Sequence, residues 1–218
     1  VQTNTWRQCH ADAAGLAVDA CTAIIFLDPH NDGAFVNRGI AYGRLGAFDK
    51  AISDYTEAIR LNPLAADAFN NRGNVYQKKG ESDPALEDYD EAIRLSPTYA
   101  HALNNRGTIF LDRREDARAA ADFDRAIEAS PGYATAFHNR GIAFSNQGQF
   151  DRAIADYDEA IRLNPEYAAA YNGRGYARLS RGELDLALPD FERSIALDPD
   201  SPPVLVNLGV VHFTQGDY

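Results

Sequence analysis

Between residues 51 and 61 the apolar side chains fall at Ala51, Tyr55, Ala58, Ile59 and Leu61, while Asp54, Glu57 and Arg60 lie off that stripe. Spacing of this kind predicts an amphipathic helix with one face buried. A second apolar-patterned run, Phe35 to Tyr42, precedes it and extends to Gly46, a residue suited to ending a helix. Pro63 closes the later run, because proline cannot continue a helix. The expectation is two helices joined by a glycine turn.

The same outline recurs along the chain. Prolines stand at 29, 63, 97, 131, 165 and 199, a constant step of 34 residues. A fixed period predicts a repeat array, in which each unit buries its apolar face against its neighbours and no single central core exists. On this frame residues 32–65, 66–99, 100–133, 134–167 and 168–201 are five whole repeats. Residues 1–31 form a degenerate capping hairpin, and 202–218 the first helix of a truncated sixth repeat.

The residues that recur are specific. Phe35, Gly39, Tyr42, Ala51, Tyr55, Ala58 and Pro63 return as Phe69, Gly73, Tyr76, Ala85, Tyr89, Ala92 and Pro97, and again in the next two repeats. The fifth set is looser, with Arg178 at the aromatic position and Ser194 at the last small one. This pattern resembles the tetratricopeptide repeat family over nearly the whole chain. The resemblance implies an all-α solenoid of antiparallel helix pairs forming a right-handed superhelix, with first helices lining a concave groove. Glycine inside a helix costs about 1 kcal/mol against alanine. Its recurrence predicts a close approach of the second helix, through small residues such as Ala51 and Ala85.

Three departures carry expectations. Arg114 stands where the other repeats have a turn glycine, which predicts strain. Pro84 suits the first turn of its helix. Pro189 falls well inside a second-helix pattern and must kink that helix or delay its start.

Asn-Arg-Gly recurs at 37–39, 71–73, 105–107 and 139–141, and Gly173-Arg174-Gly175 keeps the arginine. The family more commonly carries leucine there, so the chain resembles an Asn-Arg-Gly subtype. Each arginine has a candidate acid in the second helix: Arg38 with Asp54, Arg72 with Asp88, Arg106 with Asp122, Arg140 with Asp156, and Arg174 with Asp190. Repetition at fixed spacing predicts charge-assisted hydrogen bonds to acids of the same or the preceding repeat. The rival, a phosphate-binding arginine track, needs unpaired positive charge.

Composition excludes several classes. A net charge of −11 and an acidic isoelectric point oppose nucleic-acid or anionic-membrane binding. No apolar run is long enough to span a bilayer. No phosphate loop, dinucleotide fingerprint, zinc-protease or nucleophile-elbow motif is present, so neither catalysis nor a cofactor or metal is expected. The chain opens at Val1 and contains no methionine, which marks Val1 as a processing or truncation boundary.

The only cysteines, Cys9 and Cys21, share the N-terminal hairpin with the only tryptophan, Trp6, read as capping the stack. Trp-x-x-Cys followed by Ala-Cys resembles the mature start of exported bacterial members of the family. That resemblance implies a Cys9–Cys21 disulfide and a periplasmic or secreted location, with two separate buried thiols and a cytoplasmic location as alternatives. At the other end Val206, Val210 and Phe213 give the last helix an apolar face, which further chain or a second copy is expected to cover.

Groove positions carried over from the family are Val36, Ile40 and Arg44 in the first whole repeat, and Asp67, Asn70, Asn74 and Lys78 in the second. His101, Asn104, Thr108 and Asp112 follow, then His138, Ile142 and Asn146, then Asn172 and Tyr176. These vary between repeats while the packing positions do not. The asparagine amides suit an extended peptide backbone. The expected function is a non-catalytic scaffold binding a peptide or protein segment in this groove. The alternative is a structural module that self-associates through its terminal helices.

Overall fold

The computed structural model describes the backbone of residues 2–215 and, within it, the side chains of 5–201 and 204–211. Among the described residues every regular element is an α-helix. A short pair, α1 (Gln2–Cys9) and α2 (Ala14–Leu27), comes first. Five longer pairs follow: α3 (Asp32–Arg44) with α4 (Phe48–Leu61), α5 (Ala66–Lys78) with α6 (Ser82–Leu95), α7 (Ala100–Asp112) with α8 (Asp116–Ala129), α9 (Ala134–Asn146) with α10 (Phe150–Leu163), and α11 (Ala168–Ser180) with α12 (Leu184–Leu197). The last helix is α13 (Pro202–Gln215). The architecture is an all-α repeat solenoid built from paired antiparallel helices.

The chain falls into two compact units, one ending at Arg106 and the other beginning at Gly107. In the first, each helix from α1 to α6 packs on the next, and α3 also touches α1 and α5. Phe35, Val36, Ala51, Tyr55, Ala58, Ala68 and Val75 form its main core cluster. In the second, each helix from α8 to α13 packs on the next, and α11 also touches α9 and α13. There Ala187 and Phe191 of α12 are buried with Val204 and Val211 of α13.

The helix-interior glycines have a sharper cause than the small-residue contact expected from sequence. What approaches them is an aromatic ring. A Cβ at Gly39 would lie 2.8 Å from the Tyr55 ring, and one at Gly73 would lie 2.8 Å from Tyr89. In the second unit Gly107, Gly141 and Gly175 meet Phe123, Tyr157 and Phe191 in the same way, at 2.7–2.8 Å. Each glycine thus seats a large buried side chain whose burial contributes about 1.5–3 kcal/mol. That outweighs the helix-propensity cost.

Punctuation follows local sterics. Asn62 and Asn164, each just before a proline, have φ of −133° and −137°. The proline ring disfavours the helical region in the preceding residue and stops the helix there. Gly46, Gly80, Gly148 and Gly182 close first helices with positive φ, and Arg114 adopts φ 61° in the same role. Glu115 N donates to Phe110 O and Arg114 N to Leu111 O, the pattern seen at the glycine turns. Pro189 does not delay its helix: α12 begins at Leu184, in register with the other second helices, and carries the proline inside it.

Candidate functional site

The arginines at the centre of each first helix engage helices on both sides. In the first unit Arg38 Nε and Nη2 donate to the two oxygens of Asp54 at 2.8 and 2.7 Å, and Nη1 donates to Thr22 Oγ1 at 3.1 Å. Arg72 repeats this with Asp88 at 2.9 and 2.7 Å and with Thr56 at 3.0 Å. Arg106 Nη1 donates to Asp90 at 2.6 Å. In the second unit Arg140 holds Asp156 and Asp124, and Arg174 holds Asp190 and Asp158.

Two nitrogens therefore grip an acid 16 residues ahead, and the third reaches a residue 16 behind, on the second helix of the preceding repeat. The recurring spacing named the forward acids and allowed acids of the preceding repeat; the backward partners are Asp90, Asp124 and Asp158, with Thr22 and Thr56 in their place for the first two arginines. Hydrogen bonding to Asp54 raises the Arg38 pKa further, and Asp88 does the same for Arg72. Burial pushes the Asp88 carboxyl up, and Arg72 opposes it. These guanidinium groups are spent on structure, which removes them as an anion track.

Of the expected first-helix surface positions, three are not surface. Val36, Asn70 and Asn104 are buried, at 8%, 4% and 5% exposure. Val36 shares a core cluster with Val75 of α5, and Asn70 meets Asn105 of α7. Asn70 Oδ1 accepts from Asn105 Nδ2 at 3.1 Å, and the same nitrogen lies 2.8 Å from Asn74 Oδ1. Tyr89 OH donates to Asn74 Oδ1 at 2.7 Å. Asn105, a residue absent from the expected site, is thus central to this amide network, and the Asn-Arg-Gly repetition was its available signal. Asn74 Oδ1 takes both bonds, leaving its Nδ2 hydrogens for an incoming acceptor. Of the other expected positions in this unit, Arg44, Asp67, Lys78 and His101 are exposed and Ile40 is half-buried.

The second unit presents a different face. His138 lies against Tyr167 and Tyr157, with ring centroids 4.9 and 5.8 Å away, and its Nδ1 is 3.3 Å from Asn139 Oδ1. Burial lowers the His138 pKa. Gly173 replaces the usual asparagine where the Tyr157 ring leans in, and a Cβ there would lie 2.6 Å from it. Asn172 Oδ1 accepts from Asn207 at 3.0 Å, and Asn146 donates to Asp116 at 2.7 Å. Asp112 and Tyr176 are exposed, while Thr108 and Ile142 are half-buried. Arg178, where the repeat ordinarily has an aromatic, donates to Asp190 at 2.8 Å and to the Leu186 carbonyl, three residues before Pro189, at 3.3 Å.

At the N-terminal end the Cys9 and Cys21 sulfurs are 2.04 Å apart, a disulfide, and both residues are buried. Trp6 rests on His10 with ring centroids 5.1 Å apart, and a Cβ at Gly33 would be 3.8 Å from Trp6. In α13 Val206 and Val210 are exposed, at 66% and 44%; the Phe213 side chain lies outside the described residues. Among the described residues no cluster of three or more His, Cys, Asp or Glu could hold a metal ion. No described helix is long and apolar enough to cross a membrane.

Three tetratricopeptide repeat family models match, at residues 44–80, 66–99 and 138–202, together more than half of the sequence. The chain belongs to the tetratricopeptide repeat family. No curated relative matches it. Among solved structures it is similar to YrrB, described as a protein of this family with an unusual peptide-binding site, at 22% identity and a TM-score of 0.70, over 87% of this chain and 97% of that one. A tetratricopeptide repeat protein from Parabacteroides merdae aligns at 22% identity and a TM-score of 0.76, over 99% and 85%. The type IV pilus biogenesis factor PilW aligns at 24% identity and a TM-score of 0.77, over 85% and 86%.

Proposed function

We propose that this chain is a non-catalytic scaffold that binds a peptide or protein segment along its first-helix faces. One observation carries the reading. The packing residues repeat with a fixed period, whereas the equivalent positions 40, 74, 108, 142 and 176 hold four residue types: isoleucine at 40 and 142, then Asn74, Thr108 and Tyr176. Packing fixes the first set and leaves the second free to match a partner. In the first unit the unspent Asn74 donors and the exposed Lys78 supply contacts for a partner segment, and in the second unit the aromatic face around His138 and the exposed Tyr176 does so. YrrB, similar in fold, is described as having a peptide-binding site. The disulfide favours an oxidising compartment, periplasmic or extracellular.

Affinity capture from the source organism with the intact domain, beside an Asn74→Ala, Lys78→Ala, Tyr176→Ala version of matched circular dichroism, tests this. A partner held by the first and lost by the second is expected. Equal capture by both would overturn the reading.

The second reading, self-association through terminal helices, draws on the exposure of Leu205, Val206 and Val210. Mass that rises with concentration, and is abolished by Val206→Ser with Val210→Ser, would favour it.

A further inference from the structure

Between α1 and the C-terminal half of α2 lies a cavity of about 380 Å³, within the size range of small-molecule sites. Its walls are Thr5 and Trp6 of α1, Ala23, Ile24 and Leu27 of α2, and Asp28 and Asn31 at the junction with α3. It shares no wall residue with the first-helix face proposed above. The Cys9–Cys21 disulfide, against which Ile24 packs, ties α1 to α2 three residues from Trp6 and three from Ile24.

The walls are mostly apolar and carry one charge. Leu27 and Trp6 are 73% and 40% exposed, so apolar surface stays uncovered. Asp28 supplies the charge, and no cationic side chain among the described residues pairs with it. Its Oδ1 accepts from His30 N at 3.2 Å and its Oδ2 from Asn31 Nδ2 at 3.3 Å, while Asn31 Oδ1 caps α3 by accepting from Ala34 N at 3.0 Å. The carboxylate is thus held in place with lone pairs to spare.

Asp28 also stands where a helix attracts the opposite sign. It is the C-cap of α2, and the carbonyl groups at a helix C-terminus favour cations. The equivalent positions in the next four repeats are neutral: Asn62, Ser96, Ser130 and Asn164. In α4, α6 and α10 the last turn carries Arg60, Arg94 and Arg162, each bonded to a glutamate three residues earlier. In α2 the same two positions are Phe26 and Ala23, and its last turn holds no basic residue. The first hairpin has therefore exchanged a built-in cation for apolar surface and gained a carboxylate. Trp6, on the same cavity, is the aromatic side chain whose ring attracts cations best.

We propose that this cavity binds a small organic cation with an apolar body, of the arylalkylammonium kind. The apolar body covers Ile24 and Leu27, and the ammonium group lies between the Asp28 carboxylate and the Trp6 ring. The protein's net charge of −11 draws the same sign of ligand.

Trp6 is the only tryptophan, so its fluorescence reports on the site directly. The oxidised protein is titrated with phenethylammonium, with phenethyl alcohol as the neutral counterpart and ethylammonium as the cation without a ring. A saturable change is expected with the first, and binding weaker by about tenfold or more with each control. Asp28→Asn should weaken phenethylammonium binding by about tenfold, and Leu27→Ser, at an exposed position, should weaken it as well. Both variants are compared at matched circular dichroism. Added salt should lower the affinity of the unaltered protein more than that of Asp28→Asn. Nα-acetyllysinamide tests a protein side chain as the source of the cation. If it binds more tightly than phenethylammonium, the site belongs to a protein segment and the small-molecule assignment is overturned. Equal binding of phenethyl alcohol and phenethylammonium, no saturable change, or unchanged affinity in both variants would sink the proposal.

Discussion

Arg72 meets Asp88 edge-on, Nε and Nη2 each taking one carboxylate oxygen, and so keeps Nη1 for Thr56 of the preceding repeat. One side chain therefore ties three helices together. The geometry explains why the arginine recurs where leucine would pack equally well: apolar contact alone does not fix the register of one repeat on the next.

Removing one member leaves a largely buried charge without its partner. Asp88→Ala is expected to destabilise the protein by about 2–4 kcal/mol, since Asp88 is almost fully enclosed while Arg72 keeps some solvent contact. Arg72→Leu combined with Asp88→Leu should cost less than Asp88→Ala alone. Chemical denaturation of the single and double variants checks this.

Helix propensity and packing make opposite predictions at Gly39. Propensity alone has Gly39→Ala stabilising by about 1 kcal/mol. Because the added Cβ would sit 2.8 Å from the Tyr55 ring, a loss of about 1–3 kcal/mol is expected instead. Tyr55→Leu should recover part of that loss if the ring is the obstacle. A denaturation midpoint gives the sign directly.

Arg114 adopts a left-handed conformation that its four counterparts fill with glycine. A non-glycine residue there costs about 1–2 kcal/mol, partly offset by the greater freedom of glycine in the unfolded chain. Arg114→Gly should therefore stabilise by about 0.5–1 kcal/mol. Gly148→Ala should do the reverse, and thermal melts of both compare the two turns.

His138 is held neutral by burial, so its folded pKa lies below the usual histidine value. Above the unfolded value, near 6.5, its contribution to stability is fully present. As pH falls through that value the unfolded chain binds the proton first, and stability declines until the folded pKa is passed. His138→Asn should flatten the decline that begins as pH falls below about 6.5. Stability that falls equally steeply in both proteins would exclude His138 as the cause.

Much of the fold was legible in the sequence because a repeat states its local rules several times. The prolines fixed where second helices stop, and the glycines marked both turns and close approaches. The forward acid partners of Arg38, Arg72, Arg140 and Arg174 follow from a spacing that recurs. Local propensity and steric exclusion act within a few residues, so one dimension suffices to read them.

What the sequence left open depends on how one repeat rests on the next. Asn70 and Asn104 carry the composition of a binding surface, yet both are buried, while Asn74, four residues beyond Asn70, keeps donors in reserve. Thr22, Thr56 and Asp158 share a position in the repeat but not a residue type, and their roles emerge only when an arginine from the following repeat arrives beside them. The chain by itself determined the period, the helices and their ends. Only tertiary packing decided which polar groups are consumed between repeats and which stay free to meet a partner, because a hydrogen bond between repeats depends on the small rotation from one unit to the next, and no pattern within a repeat encodes that rotation.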